Sequence, residues 1–152
     1  MIYYVIAAVI IALDQFTKWL VVINMEVRES IPIIENVLYL TSHRNEGAAF
    51  GILQGQMWLF YIATVGVVAA IIYMIQTQLN GSRWYGTALS LVLGGAVGNF
   101  IDRVLEGAVV DFIDMYIFTY NYPIFNVADM ALVTGVIMVI IHVFMEEKRQ
   151  EK

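Results

Sequence analysis

The sequence predicts an all-α integral membrane protein: four spanning helices, with a small β-sheet and a short surface helix on one face. Two observations carry the membrane assignment. Hydrophobic residues make up 61% of the 152-residue chain and charged residues 14%, whereas soluble domains run at roughly 45–50% apolar and about 25% charged. One soluble core of this size cannot hide so much apolar surface, so lipid must solvate part of it. Four segments are also long and apolar enough to cross a bilayer, which takes about 20 residues. A third observation gives the sheet. The connection at about 24–56 is too long for a simple turn and holds two β-prone runs. The length suits a single domain, 1–152.

The first span, 2–23, is interrupted by Asp14 and Lys18. The second, 57–75, carries no charge, and the third, 84–101, is rich in Gly and Ala. The fourth, 123–145, has Asp129 near its start. Trp58, Trp84, Tyr85, Tyr116, Tyr120 and Tyr122 fall near span ends, where amphipathic rings favour the interface. Gly94-x-x-x-Gly98 gives the third span a small-residue face for close helix packing. Met1-Ile-Tyr-Tyr lacks a basic region, so the first span is read as retained rather than as a cleaved signal. Within the insertion, 31–34 and 37–42 read as strands joined by a turn at Glu35-Asn36. Residues 47–53 read as the surface helix.

Four spans put both termini on one side. That side carries Arg83, Lys148, Arg149 and Lys152, and the other carries Arg28, Arg44 and Arg103. The excess of one is a positive-inside vote for cytoplasmic termini. The insertion and the 105–122 connection then lie outside. Helical rise puts Asp129 about 9 Å past Pro123, and Asp14 about 14 Å below the outer end of the first span. Polar groups from five segments therefore converge on one face.

Ionisable groups inside a span cost about 2.5–3.5 kcal/mol each on insertion scales and are functional candidates by default. Asp14 and Lys18, four apart, share a helix face and can pair; a buried structural ion pair is the competing reading. Asn99, Asp102 and Arg103 also share a face, and Asp102 beside Arg103 reads as a structural clamp. Asn126 and Asp129 lie three apart, on one helix face. Asp129 has no cation within a helical turn, so it either finds a partner on another segment or takes up a proton. Asp111 sits in an apolar, extended stretch, and by position alone it reads as a solvated loop residue, as does Asp114.

The net charge of −5 argues against nucleic acid as a partner. The absence of Cys excludes disulfides, thiolate zinc sites and a Cys nucleophile. His43 and His142 form no His–Glu–x–x–His spacing, so no metal is expected. Two carboxylates held close in an apolar setting cannot both ionise, so one keeps a proton and the other acts as a base. Such a pair can activate water against an amide without metal or cofactor.

Five separated motifs resemble those of the lipoprotein signal peptidase (signal peptidase II) family, aspartic peptidases of the bacterial inner membrane. They are Asp14-Gln-Phe-Thr-Lys18, Asn45-Glu-Gly-Ala-Ala-Phe50-Gly51, Asn99-Phe-Ile-Asp102-Arg103, Val109-Val110-Asp111-Phe112 and Phe125-Asn126-Val127-Ala128-Asp129. The resemblance implies Asp111 and Asp129 as the catalytic pair. It implies substrate-binding or supporting roles for Asn45, Asn99, Arg103 and Asn126, and structural roles behind the site for Asp14, Lys18 and Asp102. It further implies a diacylglyceryl-modified prolipoprotein substrate cut before its lipidated Cys, and an active site on the extracytoplasmic face. The implied fold is four spans with an outer β-sheet, the cradle, and a surface helix. The expected partners are that substrate and membrane lipid, with the chain acting as a monomer. A small proton-coupled transporter is the competing class, supported by the intramembrane carboxylates and packing glycines. It would place its key charge near the bilayer midplane and lack a long outer insertion. A non-catalytic assembly factor is a third.

Overall fold

The structure is a computed structural model that describes residues 1–47, 56–79 and 81–150. Its elements, in chain order, are α1 (Ile2–Asn24), β1 (Ser30–Ile34), β2 (Leu38–Asn45), α2 (Met57–Thr77), α3 (Arg83–Glu106), β3 (Val109–Ile117), β4 (Tyr120–Asn121) and α4 (Val127–Gln150). Among the described residues, four helices are long and apolar enough to span a membrane. Most of the expected surface helix falls at 48–53, outside the described residues.

α3 is the hub. In its most apolar 18-residue stretch 56% of residues are buried within the protein, against 11–22% in the same stretch of the other three spans. Its small residues allow this. A Cβ on Gly94 would lie 2.8 Å from Cβ of Ile10 on α1, and one on Gly98 would lie 2.7 Å from Oδ2 of Asp14. A Cβ on Gly95 would collide with the Ala128 carbonyl of α4. The glycine face read from the sequence therefore packs on α1, and its neighbour Gly95 seats α4. α1 and α3 run parallel: Tyr3 lies against Gly86 near one end, and Gln15 reaches Asp102 near the other. α2 and α4 run the opposite way, with Tyr61 Oη donating to the Arg103 carbonyl and Ala128 lying beside Gly98. The C-terminal ends of α1 and α3 and the N-terminal ends of α2 and α4 thus meet at one end of the bundle.

The sheet sits at that end. It is antiparallel, in the order β1-β2-β3-β4. The β1–β2 hairpin turns at the expected residues. Asn36 takes a left-handed φ of 63°, a conformation Asn tolerates, and Val37 N–H donates to the Ile34 carbonyl. β2 runs on to Asn45, pairing His43 with Asp111 and Asn45 with Val109. The first and third connections are therefore joined. Val109, Val110 and Phe112 of β3 are buried, with Val110 and Phe112 packed on Val21 of α1.

The fourth helix differs from the expected span, 123–145. It begins at Val127, because Phe125 stays extended and exchanges backbone hydrogen bonds with Ile113 of β3. Asp129 consequently lies in the first turn of α4, not 9 Å down a helix. Asn126 precedes the helix and does not share a helical face with Asp129. The third helix runs five residues past its expected end, to Glu106, and stops at Gly107, whose φ of 70° is left-handed.

Candidate active site

Asp111 enters from β3 and is 1% exposed. Its Oδ1 accepts from Asn126 Nδ2 at 2.7 Å and its Oδ2 from Asn45 Nδ2 at 2.9 Å. Asp129 enters from the start of α4. Its Oδ1 accepts from Asn99 Nδ2 at 2.7 Å and its Oδ2 from the Asn126 backbone N–H at 3.1 Å. Asn126 Oδ1 in turn accepts from the Asp129 backbone N–H at 2.9 Å. This reciprocal pair is a capping box closed by Asp in place of Glu. It explains why Asn and Asp stand three apart at this helix start. Asn126 is fully buried and holds both carboxylates at once.

Behind Asn99 lies a buried ionic cluster. Lys18 Nζ is 2.8 Å from Asp14 Oδ2, 2.8 Å from Asp102 Oδ2 and 2.9 Å from Asn99 Oδ1, so all three ammonium protons have acceptors. Asp14 Oδ1 accepts the Ala128 N–H at the start of α4, and Asp102 Oδ2 accepts the Val110 N–H of β3. One cluster therefore fixes α1, α3, α4 and β3, the segments that deliver the two carboxylates.

The expected Asp14–Lys18 pair forms. The expected clamp of Asp102 on Arg103 does not: Asp102 pairs with Lys18. Adjacent helical residues do not face each other, and Arg103 instead lays its guanidinium 4.6 Å from the centroid of the Phe60 ring. Among the described residues Arg103 has no ion pair, and its Nε has no hydrogen-bond partner. Asp111 and Asp114 are both buried, contrary to the solvated reading. Asp114 is paired across from Tyr39 and accepts from Thr41 Oγ1 at 2.8 Å. Gln15 was not singled out. Its Nε2 donates to Asp102 Oδ1 at 2.7 Å and reaches the Gly98 carbonyl at 3.2 Å. The signal for it was an amide inside an apolar span, next to Asp14.

Asp111, Asp129, Asn45, Asn99 and Arg103 line one cleft of about 800 Å³. His43 and Glu46 line it beside β2, and residues Tyr120–Phe125 form another wall. Burial, and second the negative charge of Asp129, push the Asp111 carboxyl up to about 7, while hydrogen bonds from Asn45 and Asn126 oppose the rise.

Residues 6–145 match the family model described as signal peptidase (SPase) II. The chain belongs to the signal peptidase II family. It is 60% identical over 152 residues to a lipoprotein signal peptidase of Halalkalibacterium halodurans, covering all of this chain and 97% of that protein. It is 58% identical over 151 residues to one of Anoxybacillus flavithermus, covering 99% of this chain and 90% of that one. A bacterial membrane enzyme solved by the in meso method at 2.3 Å superposes with a TM-score of 0.92 at 43% identity, covering 97% of this chain and 90% of the other. A second, solved at 1.9 Å, gives 0.85 at 45% identity, covering 93% and 91%. As a signal peptidase II the chain is a peptidase and a multi-pass membrane protein, and the transporter reading has no support.

The raised pKa of the Asp111 carboxyl makes folding stability depend on pH. An ordinary Asp loses its proton near 3.8, so between there and about 7 the folded state holds a proton that the unfolded chain has lost. Stability that is full below the lower value is lost as pH rises through the upper one. The melting temperature should therefore fall across this window, and Asp111→Asn should flatten the fall. An unchanged slope in melting curves of the variant contradicts the assignment.

Proposed function

We propose that the chain is a single-domain aspartic endopeptidase of the bacterial cytoplasmic membrane that removes the signal peptide from diacylglyceryl-modified prolipoproteins. It cuts before the lipidated Cys, on the extracytoplasmic face, and works as a monomer surrounded by lipid. The observation that carries the reading is Asn126 bonded to both Asp111 and Asp129 at one cleft. One carboxylate, ionised, draws a proton from water as the water oxygen attacks the scissile carbonyl. The other, protonated, donates to the carbonyl oxygen. Collapse of the tetrahedral species breaks the C–N bond, and the first carboxyl gives its proton to the leaving amine. Asn45, Asn99 and Asn126 hold the carboxyl groups, and Arg103, which lines the cleft and has no ion pair among the described residues, meets the substrate backbone. Asp14, Lys18 and Asp102 support the frame.

The orientation has support from charge. Ser82, before the start of α3, and Arg149, near the end of α4, line one recess, so Arg83, Lys148 and Arg149 gather at the end opposite the carboxylates. The test is cleavage by the purified protein of a prolipoprotein with and without its diacylglyceryl group. The lipidated form should be cut before the Cys and the unlipidated form left intact, with a chelator making no difference. Equal cleavage of both, or loss of turnover with chelator, sinks the reading.

A further inference from the structure

We infer that the two carboxylates are unequal at rest, with Asp129 carrying the negative charge and Asp111 the shared proton. Asp129 is then the base toward water and Asp111 the acid toward the carbonyl oxygen. This rests on the peptidase reading and deepens it.

The amides of Asn45, Asn99 and Asn126 could in principle be turned either way, but each amide oxygen faces a group that can only donate. Asn99 Oδ1 meets the Lys18 ammonium at 2.9 Å, so Asn99 must present Nδ2 to Asp129. Asn126 Oδ1 meets the Asp129 N–H at 2.9 Å, so its Nδ2 must face Asp111. Asn45 Oδ1 meets the Gly47 N–H at 3.0 Å, so its Nδ2 also faces Asp111. Each carboxylate therefore accepts two fixed donors, and donor number does not separate them.

Donor quality does. Asp129 accepts a backbone N–H at the N-terminus of a 24-residue helix, where the helix end carries about half a positive charge. Its second donor, Asn99, is polarised from behind by the Lys18 ammonium, and linked hydrogen bonds strengthen one another. Asp129 is also only part-buried and opens on the cleft, so it keeps some hydration and can reach a water. Asp111 lines the same cleft, but it accepts no backbone N–H at a helix end, and the Lys18 ammonium does not bond to either of its donors. Asp111 lies on a strand, is 1% exposed, and both its donors are neutral amides. The other charged groups near the pair are Asp14 on α1, Asp102 and Arg103 on α3, and His43, Arg44 and Glu46 at the end of β2; Asp14 and Asp102 are held by Lys18. The elevated Asp111 value agrees with this assignment. Lys18 is, on this account, a positioning residue that acts on Asp129 through Asn99.

After one turnover the proton inventory closes. Asp129 takes a proton from water and returns it to the leaving amine. Asp111 gives its proton to the carbonyl oxygen and regains one when the hydrated carbonyl collapses to the acid.

The pH dependence of kcat/KM reports the free enzyme, and the pair titrates as a unit. With this assignment Asn99→Ala, which removes a donor from Asp129, moves the acidic limb up by about one pH unit. Asn45→Ala, which removes a donor from Asp111, moves the basic limb up instead. The crossed pattern overturns the assignment. Where a variant turns over too slowly, infrared difference spectra at about pH 6, below the Asp111 value, decide without turnover. The protonated-carboxyl C=O band is lost in Asp111→Asn and kept in Asp129→Asn; the reverse overturns the inference. Failure of the peptidase reading looks different: normal turnover in either Asp→Asn variant.

Discussion

Asp129→Asn is expected to lower kcat by about 10³-fold, within the range a positioned acid–base group supplies, and Asp111→Asn to do the same. The double variant should be hardly slower than either single one, because in the proposed mechanism the two groups act as a unit. Both singles should fold. Asn keeps an oxygen to accept one of the hydrogen bonds that each carboxylate receives. Melting curves and detergent gel filtration check that point, and a peptidase assay with lipidated substrate reads turnover. A folded variant with normal kcat removes that residue from the pair.

Lys18→Met should be the most destabilising single change in the polar interior. Lys18 is the cation between two carboxylates that are 0% and 5% exposed, Asp14 and Asp102. Removing one partner of a buried pair costs about 3–5 kcal/mol, because the remaining charge is stranded. Here two are stranded. The expected result is poor recovery of folded protein, with a lowered melting temperature in whatever is recovered. Replacing both carboxylates as well, by Asp14→Asn and Asp102→Asn in the same chain, should recover part of the loss, since no unpaired charge remains. If Lys18→Met melts like the parent, the cluster does not hold the frame as described.

The spans were legible because hydropathy is a local property, and α1 and α2 lie within two residues of their expected bounds. The β1–β2 hairpin was legible for the same reason: two β-prone runs flank a turn that suits Asn36. The Asp14–Lys18 pair followed from i, i+4 spacing. What was not legible depends on contacts between distant segments. Nothing near Asp102 announces Lys18, which lies 84 residues away in the chain. The pairing of His43 with Asp111 across the membrane insertion turned an apparent loop carboxylate into a buried one, and Asp114 was misread for the same reason. The start of α4 was misplaced because Pro123 is an acceptable first helical residue, while the strand-like bonding of Phe125 to Ile113 is a tertiary choice. Asp111 was singled out by family resemblance alone. Its burial and its bond to Asn126 now supply the physical reason.

In the proposed mechanism Asp111 and Asp129 act together on one reacting centre. The most direct measurement is a structure of the protein with a peptide in which a hydroxyl-bearing tetrahedral carbon replaces the scissile carbonyl. That hydroxyl is expected between the two carboxyl groups, within hydrogen-bond reach of both, about 2.6–3.2 Å. A hydroxyl bound to neither carboxyl, or to only one with the other turned away from the cleft, would contradict the mechanism.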